Sequence, residues 1–209
     1  MKKTAVKSRP QPPAALMEAH DEQFVPDHKF RDWIVSTFID GEGHLHNPDH
    51  QHLRFADIGV LWTNVDNSRN MRTVIGQAEL MPPMAMGKWQ RARAEQQIAD
   101  WFDGMPTFVL TFHAKWASIM DDASFCALVE HELYHCAQKK DDHGQPKFTQ
   151  AGLPSFGIRG HDVEEFVGVV ARYGPTAEVS RMVEAALGDR GTSRLDVARA
   201  CGTCHLKAA

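Results

Sequence analysis

The stretch VEHELYHC, residues 129–136, places His131 and His135 four positions apart, with Glu132 directly after the first histidine. It lies late in a segment, residues 121–138, whose apolar residues recur at helical spacing and predict a helix with one buried side. On a helix, residues four positions apart project from the same face. Two imidazoles held in this way can bind one tetrahedral zinc ion, and the neighbouring glutamate can deprotonate water activated there. The stretch therefore predicts a metal site on a half-buried helix.

A catalytic zinc site needs a third protein ligand and one open position. We expect that ligand from a second predicted helix, residues 161–174, which would fold back onto the first across a loop that contains glycine and proline. His161 at its N-terminus is the first choice, and Glu165 or Glu164 is the alternative. Asp162 and Glu165 are candidates for accepting the second N–H of a ligating histidine. Candidate donors for the oxyanion of a substrate are Tyr173, His113 and Arg159.

The remaining chain mixes predicted helices and strands. Segments with helix formers or apolar residues at helical spacing are residues 30–39, 87–102 and 176–189. Segments rich in β-branched and other apolar residues are residues 55–64, 72–81 and the start of 106–120. The first two strands are expected to pair because their connection is short. The pattern indicates an α+β fold, with a small, mostly antiparallel or mixed sheet packed on the motif helix.

Composition limits the classes of partner. The chain has 209 residues, 43% hydrophobic and 24% charged, which suits one globular domain with further terminal segments. We expect a disordered or extended arm at residues 1–28, a core domain at 29–175, and a helix with a tail at 176–209. A net charge of -4 gives no electrostatic case for a nucleic acid or an anionic membrane as partner. Without a signal-peptide pattern or a long apolar run, we expect a soluble protein of the cytoplasm.

Two other groups of side chains that can bind metals each have two interpretations. Residues 43–52, GHLHNPDHQH, carry four histidines and form either a second, weak metal site or a polar loop. Residues 201–205, CGTCH, have the spacing of haem attachment, but attachment needs export and no signal peptide precedes them. Cys201, Cys204 and His205 are therefore either half of a zinc site or the end of a frayed tail.

The pairing of HELYHC with HDVEEF at residues 161–166 and RYG at residues 172–174 resembles the putative phage metallopeptidase family of bacteriophages and prophages. The similarity runs from about Trp33 to Gly174 and includes HQHLRFADIGVLWT, residues 50–63. The resemblance implies a zincin-like core domain, Zn²⁺ as cofactor and hydrolysis of a peptide or protein substrate. For a phage-encoded protein, it also implies the cytoplasm of the host cell.

With this resemblance, the expected zinc ligands are His131, His135 and His161, and the expected general base is Glu132. Zincins bind an extended substrate along a sheet edge, so the strand FVLTFH, residues 108–113, is a candidate edge of the cleft. Two alternatives come from other classes of protein. One is a non-catalytic zinc-binding module, which a closed four-ligand site would favour. A phage-encoded host-interaction protein that keeps the zinc site to sequester a host partner belongs to this same alternative. The other alternative is a regulator or adaptor that works through its CGTCH tail.

Overall fold

The structure, a computed structural model, describes residues 8–69, 71–84, 86–164, 166–189 and 191–192. Its helices are α1 Ala14–Glu18, α2 His28–Ile34 with a π-helical turn Val35–Ile39, a 3-10 helix Pro48–Phe55, α3 Lys88–Phe102, α4 Ala114–Ile119, α5 Asp122–His135, α6 Val167–Tyr173 and α7 Ala177–Leu187. Its strands are β1 Phe24–Pro26, β2 Ile58–Thr63, β3 Ser68–Arg69, β4 Arg72–Thr73, β5 Gly76–Leu80, β6 Phe108–His113, β7 Cys136–Gln138 and β8 Phe156–Ile158. The α+β class predicted from the sequence is confirmed.

A four-stranded mixed sheet, in the order β1-β2-β6-β5, lies at the centre of this fold. β2 and β6 run parallel, and β1 and β5 flank them antiparallel. The expected pairing of the strands at residues 55–64 and 72–81 is wrong, because β6 lies between β2 and β5. Both inner strands are almost fully buried, whereas burial alternates along β5. A strand buried on both faces needs a central place, and the half-exposed β5 fits the edge.

Aromatic side chains fill the space between the sheet and the helices α2 and α5. Phe30 of α2 stacks on Trp62 of β2 and on Phe125 of α5, with ring centroids 4.8 and 5.6 Å apart. Phe112 of β6 lies 5.0 Å from the same ring. All four side chains are fully buried, and each such burial stabilises the fold by about 2–3 kcal/mol. This packing fixes α5 against the sheet, so residues late in the helix have defined positions.

Residues 8–27 differ from the expected extended or disordered arm. Leu16 of α1 is buried in the core, and β1 adds a strand to the sheet. Arg9 forms an ion pair with Asp122 at 2.8 Å, with both side chains 7% exposed, and it donates to the Met120 carbonyl at 2.7 Å. An ion pair and apolar contacts therefore hold this segment on the first turn of α5. The division of the chain into three regions stays a prediction.

The segment around His161 also differs from the prediction. α6 begins only at Val167, because Phe166 before it has an extended backbone, with φ -89° and ψ 128°. Residues upstream form β8, which pairs antiparallel with β7 directly after α5. Pairing with β7 gives this stretch its backbone hydrogen bonds, so the chain reaches His161 as extended backbone rather than as a helix. The predicted end of the helix at Gly174 is confirmed, where φ is +85°.

Candidate metal centre

The helix α5 presents two histidines from its last turns. Its N-terminus is capped by Asp121, whose carboxylate accepts the Ser124 N–H at 2.9 Å. The predicted i and i+4 spacing places His131 and His135 one turn apart, with their Nε2 atoms separated by 3.2 Å. The helix ends at the second histidine, where the chain turns into β7. Both imidazoles therefore belong to a rigid element whose far side lies in the core.

The β7–β8 hairpin brings the third histidine to the same place. The Arg159 N–H donates to the His135 carbonyl at 2.9 Å, and the Arg159 carbonyl accepts from His135 Nδ1 at 2.7 Å. These two bonds fasten the chain after β8 to the end of α5. Two residues later, His161 places its Nε2 atom 3.1 Å from His131 Nε2. The ligand atoms of the three histidines all lie within 4.8 Å of one another.

The distances between these nitrogens suit a zinc ion. Zn–N bonds of about 2.0–2.1 Å at tetrahedral angles separate two ligand nitrogens by about 3.3 Å, close to the observed 3.1 and 3.2 Å. Because a carbonyl only accepts, the proton of neutral His135 is assigned to Nδ1, which leaves a lone pair on Nε2. Burial, and then the charges of His135 and His161, lower the pKa of His131. The chemistry of the donor set therefore fits a metal.

Glu132 is the buried carboxylate next to this cluster. It is 3% exposed and lies under β5, where the Ala78 backbone amide donates a hydrogen bond to it. Burial raises the pKa of Glu132 to about 7, although His135 and the Ala78 bond act in the opposite direction. A Cβ at Gly76 would come within 2.6 Å of the Glu132 Oε1 atom. A side chain at position 76 would therefore force the Glu132 carboxylate to shift.

A cleft of about 930 Å³ runs between α5 and the edge of the sheet, and the three histidines and Glu132 line it. Its opposite wall is β5 and the β3–β4 hairpin. The expected edge strand at residues 108–113 is wrong, because β6 is an inner strand and β5 forms the edge. The His113 N–H donates to the Ile75 carbonyl, and the Met81 N–H donates to the Thr107 carbonyl, so Ile75 and Met81 direct these groups toward β6. In an antiparallel pair, alternate residues direct their backbone N–H and C=O groups away from the neighbouring strand. Gly76 and Ala78 therefore direct these groups to the free edge of β5.

The alternatives for the third ligand take other positions. Glu164 is exposed, and its Oε1 atom lies 4.0 Å from His161 Nδ1, on the side away from the cluster. It is thus a candidate partner for that histidine rather than a ligand. Asp162 accepts a hydrogen bond from the Arg159 side chain. Glu165 lies outside the described residues.

The candidates for an oxyanion donor do not converge on the cleft. His113 is buried at the end of β6, and its Nε2 atom contacts Asp66 at 3.1 Å. Tyr173 is exposed on α6. Arg159 contributes its backbone to the site through His135, but its guanidinium bonds Asp162. The choice among these donors stays open.

Two of the four histidines in the loop at residues 43–52, His50 and His52, have structural contacts. His50 is buried 3.6 Å from Glu130, and His52 donates from Nε2 to the Cys136 carbonyl at 2.7 Å. Within the part of the chain that the structure describes, the α5 cluster with His161 is the one group of this kind. The second metal site in the loop therefore receives no support. The tail at residues 201–205 lies outside the described residues.

Sequence reasoning missed the contribution of β5 to the site. Gly76 makes room for Glu132, and Ala78 donates to it. One signal was available, because a glycine inside a strand pattern often marks a close approach of another group. The sequence could not show which group approaches, since the contact joins residues far apart in the chain.

A family of known proteins matches most of the chain. The family model described as "Putative phage metallopeptidase" matches residues 31–187, which is well over half of the chain and includes all three histidines and Glu132. No curated protein and no solved structure matches the chain. None of the helices in the described part of the chain has the length and apolar character that a membrane span requires.

Proposed function

The chain belongs to this phage metallopeptidase family, and from that premise we propose that it is a zinc-dependent peptidase. His131, His135 and His161 are the proposed ligands, and Glu132 is the proposed general base. The observation that carries the proposal is the convergence of three imidazole nitrogens beside a buried carboxylate. Among the described residues, no fourth histidine, cysteine or carboxylate joins the group. Three ligands leave a position open for catalysis, whereas a structural zinc module would close it.

The residues of the chain have distinct roles in the proposed reaction. Zinc held by the three histidines would act as a Lewis acid toward water and the scissile carbonyl. The Glu132 carboxylate accepts a proton from the water and returns it to the leaving amine nitrogen. In the metal-free protein, burial raises the pKa of this carboxylate to about 7. A bound zinc ion would lower that pKa, because positive charge favours the ionised form that accepts the proton. The Arg159 carbonyl keeps the His135 ring oriented through the bond to Nδ1.

The free edge of β5 is the proposed binding edge for an extended peptide. Gly76 and Ala78 direct backbone N–H and C=O groups toward the cleft. The Ala78 N–H is bonded to Glu132, and the other groups of this edge are free to pair with an added strand. Gly76 has no side chain, so a peptide backbone can approach closely above the carboxylate. A zincin-like arrangement of helix, edge strand and ligands is part of this proposal.

Metal content measured by elemental mass spectrometry tests the site. We expect about one zinc ion per chain in the wild-type protein and in a truncation before Cys201, and almost none in the His131→Ala/His135→Ala variant. Zinc that survives the double substitution but disappears on truncation would place the metal in the tail and refute the proposal.

The catalytic role needs a separate measurement. Glu132→Gln should keep its zinc but lose peptide hydrolysis by about 10²–10⁴-fold, because the general base is removed while the ligands remain. Glu130→Gln is the matched control, since Glu130 lies on the same helix but does not line the cleft. Full hydrolytic activity in Glu132→Gln would show that another group deprotonates the water.

A further inference from the structure

A second pocket, of about 610 Å³, lies beside the proposed catalytic cleft. The β7–β8 hairpin, the turn that follows β7 and the 3-10 helix form its walls. The side chains that determine its chemistry are Asp49, His52, Lys139, Lys140, Ile158 and Arg159. Because Ile158 also lines the cleft with the three histidines, the pocket and the cleft are neighbours that share a wall.

Positive charge dominates this pocket. Lys139, Lys140 and Arg159 line it against one carboxylate, Asp49, in a chain whose net charge is -4. The Arg159 guanidinium is already bonded to Asp162. Neither lysine is within 4.0 Å of a carboxylate oxygen among the residues that the structure describes. Two cations that form no ion pair in the described part of the chain therefore line a space that is open to a ligand.

The backbone holds both lysines in position. The Lys139 N–H donates to the Ser155 carbonyl, and the Lys139 carbonyl accepts from the Lys147 N–H, both at 2.7 Å. Lys140 forms a further backbone bridge across the turn. The methylene stem of Lys139 lies over Gly157, where a Cβ would come within 3.0 Å of the lysine Cε atom. The glycine thus provides the space in which the lysine side chain lies across the hairpin.

We propose that this pocket binds a carboxylate of the peptide substrate near the scissile bond. The carboxylate comes either from an acidic side chain or from a free C-terminus. The inference rests on the proposed peptidase function and names its substrate class. A peptide that follows the cleft past Ile158 presents its next side chain, or its terminus, to Lys139 and Lys140. Lysine ammonium groups bind as mobile point charges without a fixed fork geometry, so both sources of the carboxylate suit them.

Peptide binding to a Glu132→Gln variant tests the pocket without hydrolysis. The probes are three forms of one fluorescent heptapeptide: one with a single Glu and an amidated C-terminus, one with Gln at that position and an amidated C-terminus, and one with Gln and a free C-terminus. The Glu is scanned along the peptide. Fluorescence anisotropy at low salt should show one of the two carboxylate forms binding about five- to tenfold more tightly than the neutral form. The form that gains identifies the source of the carboxylate.

Charge reversal in the pocket should remove this preference. The test variant adds Lys139→Glu/Lys140→Glu, and its matched control adds Lys88→Glu/Lys115→Glu, which changes the net charge equally at exposed sites outside the pocket. We expect the carboxylate forms to lose their advantage in the first variant and to keep it in the second. Equal binding of all three peptides, no binding of any, or a preference that survives Lys139→Glu/Lys140→Glu would overturn the inference.

Different results would refute the carboxylate-binding pocket and the peptidase function. A zinc-loaded wild-type protein that binds carboxylate peptides selectively but cleaves none would keep the pocket and refute the proposed function. Cleavage of neutral and acidic peptides with equal kcat/KM, together with equal binding, would keep the peptidase and refute the pocket.

Discussion

Replacing Glu132 by glutamine should stabilise the metal-free protein at alkaline pH. The side chain is almost fully buried, and burial raises its pKa from 4.5 to about 7. A carboxyl group with a raised pKa stabilises the fold fully below its unfolded pKa, and this contribution is lost as the pH rises through the folded value. At 1.36 kcal/mol per pKa unit, the ionised carboxylate costs the folded state about 3 kcal/mol above pH 7. Glutamine has nearly the same shape and no charge, so it avoids this cost.

Urea unfolding at a series of pH values measures the effect. Both proteins are dialysed against a chelator, and the difference in unfolding free energy is taken at each pH, so that titrations common to both proteins largely cancel. From about pH 5 to about pH 8.5, we expect the advantage of Glu132→Gln to grow by about 2.5 kcal/mol. An advantage that stays constant or shrinks with rising pH would refute the assignment of a buried, destabilised carboxylate.

Glu130, two residues before Glu132 on α5, provides a control of opposite sign. Burial alone would raise the pKa of Glu130, but hydrogen bonding and charge from His50 and hydrogen bonding from Asn47 outweigh it and hold the pKa below its ordinary value. Its contribution to stability is present above the unfolded pKa and is lost only as the pH falls through the folded one. Glu130→Gln should therefore destabilise the protein across the same pH range, without the rising advantage expected for Glu132→Gln.

Three further predictions concern stability, geometry and metal. Arg9→Ala should lower the free energy of unfolding by about 3 kcal/mol in denaturant, because it removes one side of the buried ion pair with Asp122; an effect below about 1 kcal/mol would contradict the anchoring role. Gly76→Ala should reduce hydrolysis by about tenfold or more at nearly unchanged Tm, since its Cβ displaces the flexible Glu132 carboxylate; unchanged kcat/KM would argue against that contact. Zinc at 100 times its Kd should stabilise the wild-type protein by about 2.7 kcal/mol, and His135→Ala should abolish the gain; equal shifts in both proteins would place the metal elsewhere.

Local patterns in the sequence were sufficient for the helix part of the site. The spacing of His131 and His135, with Glu132 between them, depends only on backbone hydrogen bonds within a few residues. The apolar residues of the same segment predicted its buried side, and Phe125 and Leu133 are indeed buried in the core. The α+β class was predictable for the same reason, because helix and strand periodicities are local properties.

The strand order required contacts that the sequence does not display. A short connection favoured a hairpin between the strands at residues 55–64 and 72–81, yet β6 takes the place between β2 and β5. The burial of the inner strands on both faces decides this arrangement, and it depends on α2 and α5 covering one face. The packing of the N-terminal residues on the core also required such contacts, since the composition around Arg9 does not reveal its partner Asp122.

The sequence by itself determined the chemical groups of the candidate site: two histidines and a glutamate on one helix, and a downstream histidine. It also indicated the family, which the family model shows. Only the tertiary structure decided how these groups meet. His161 reaches the cluster on extended backbone because the Arg159 backbone pairs with His135, and Glu132 acquires its raised pKa because β5 covers it at Gly76. Ligand spacing within a helix is set by local hydrogen bonds. The raised pKa of Glu132 depends on burial, and the meeting of the three histidines depends on pairing between distant segments. Both exist only once the chain has folded.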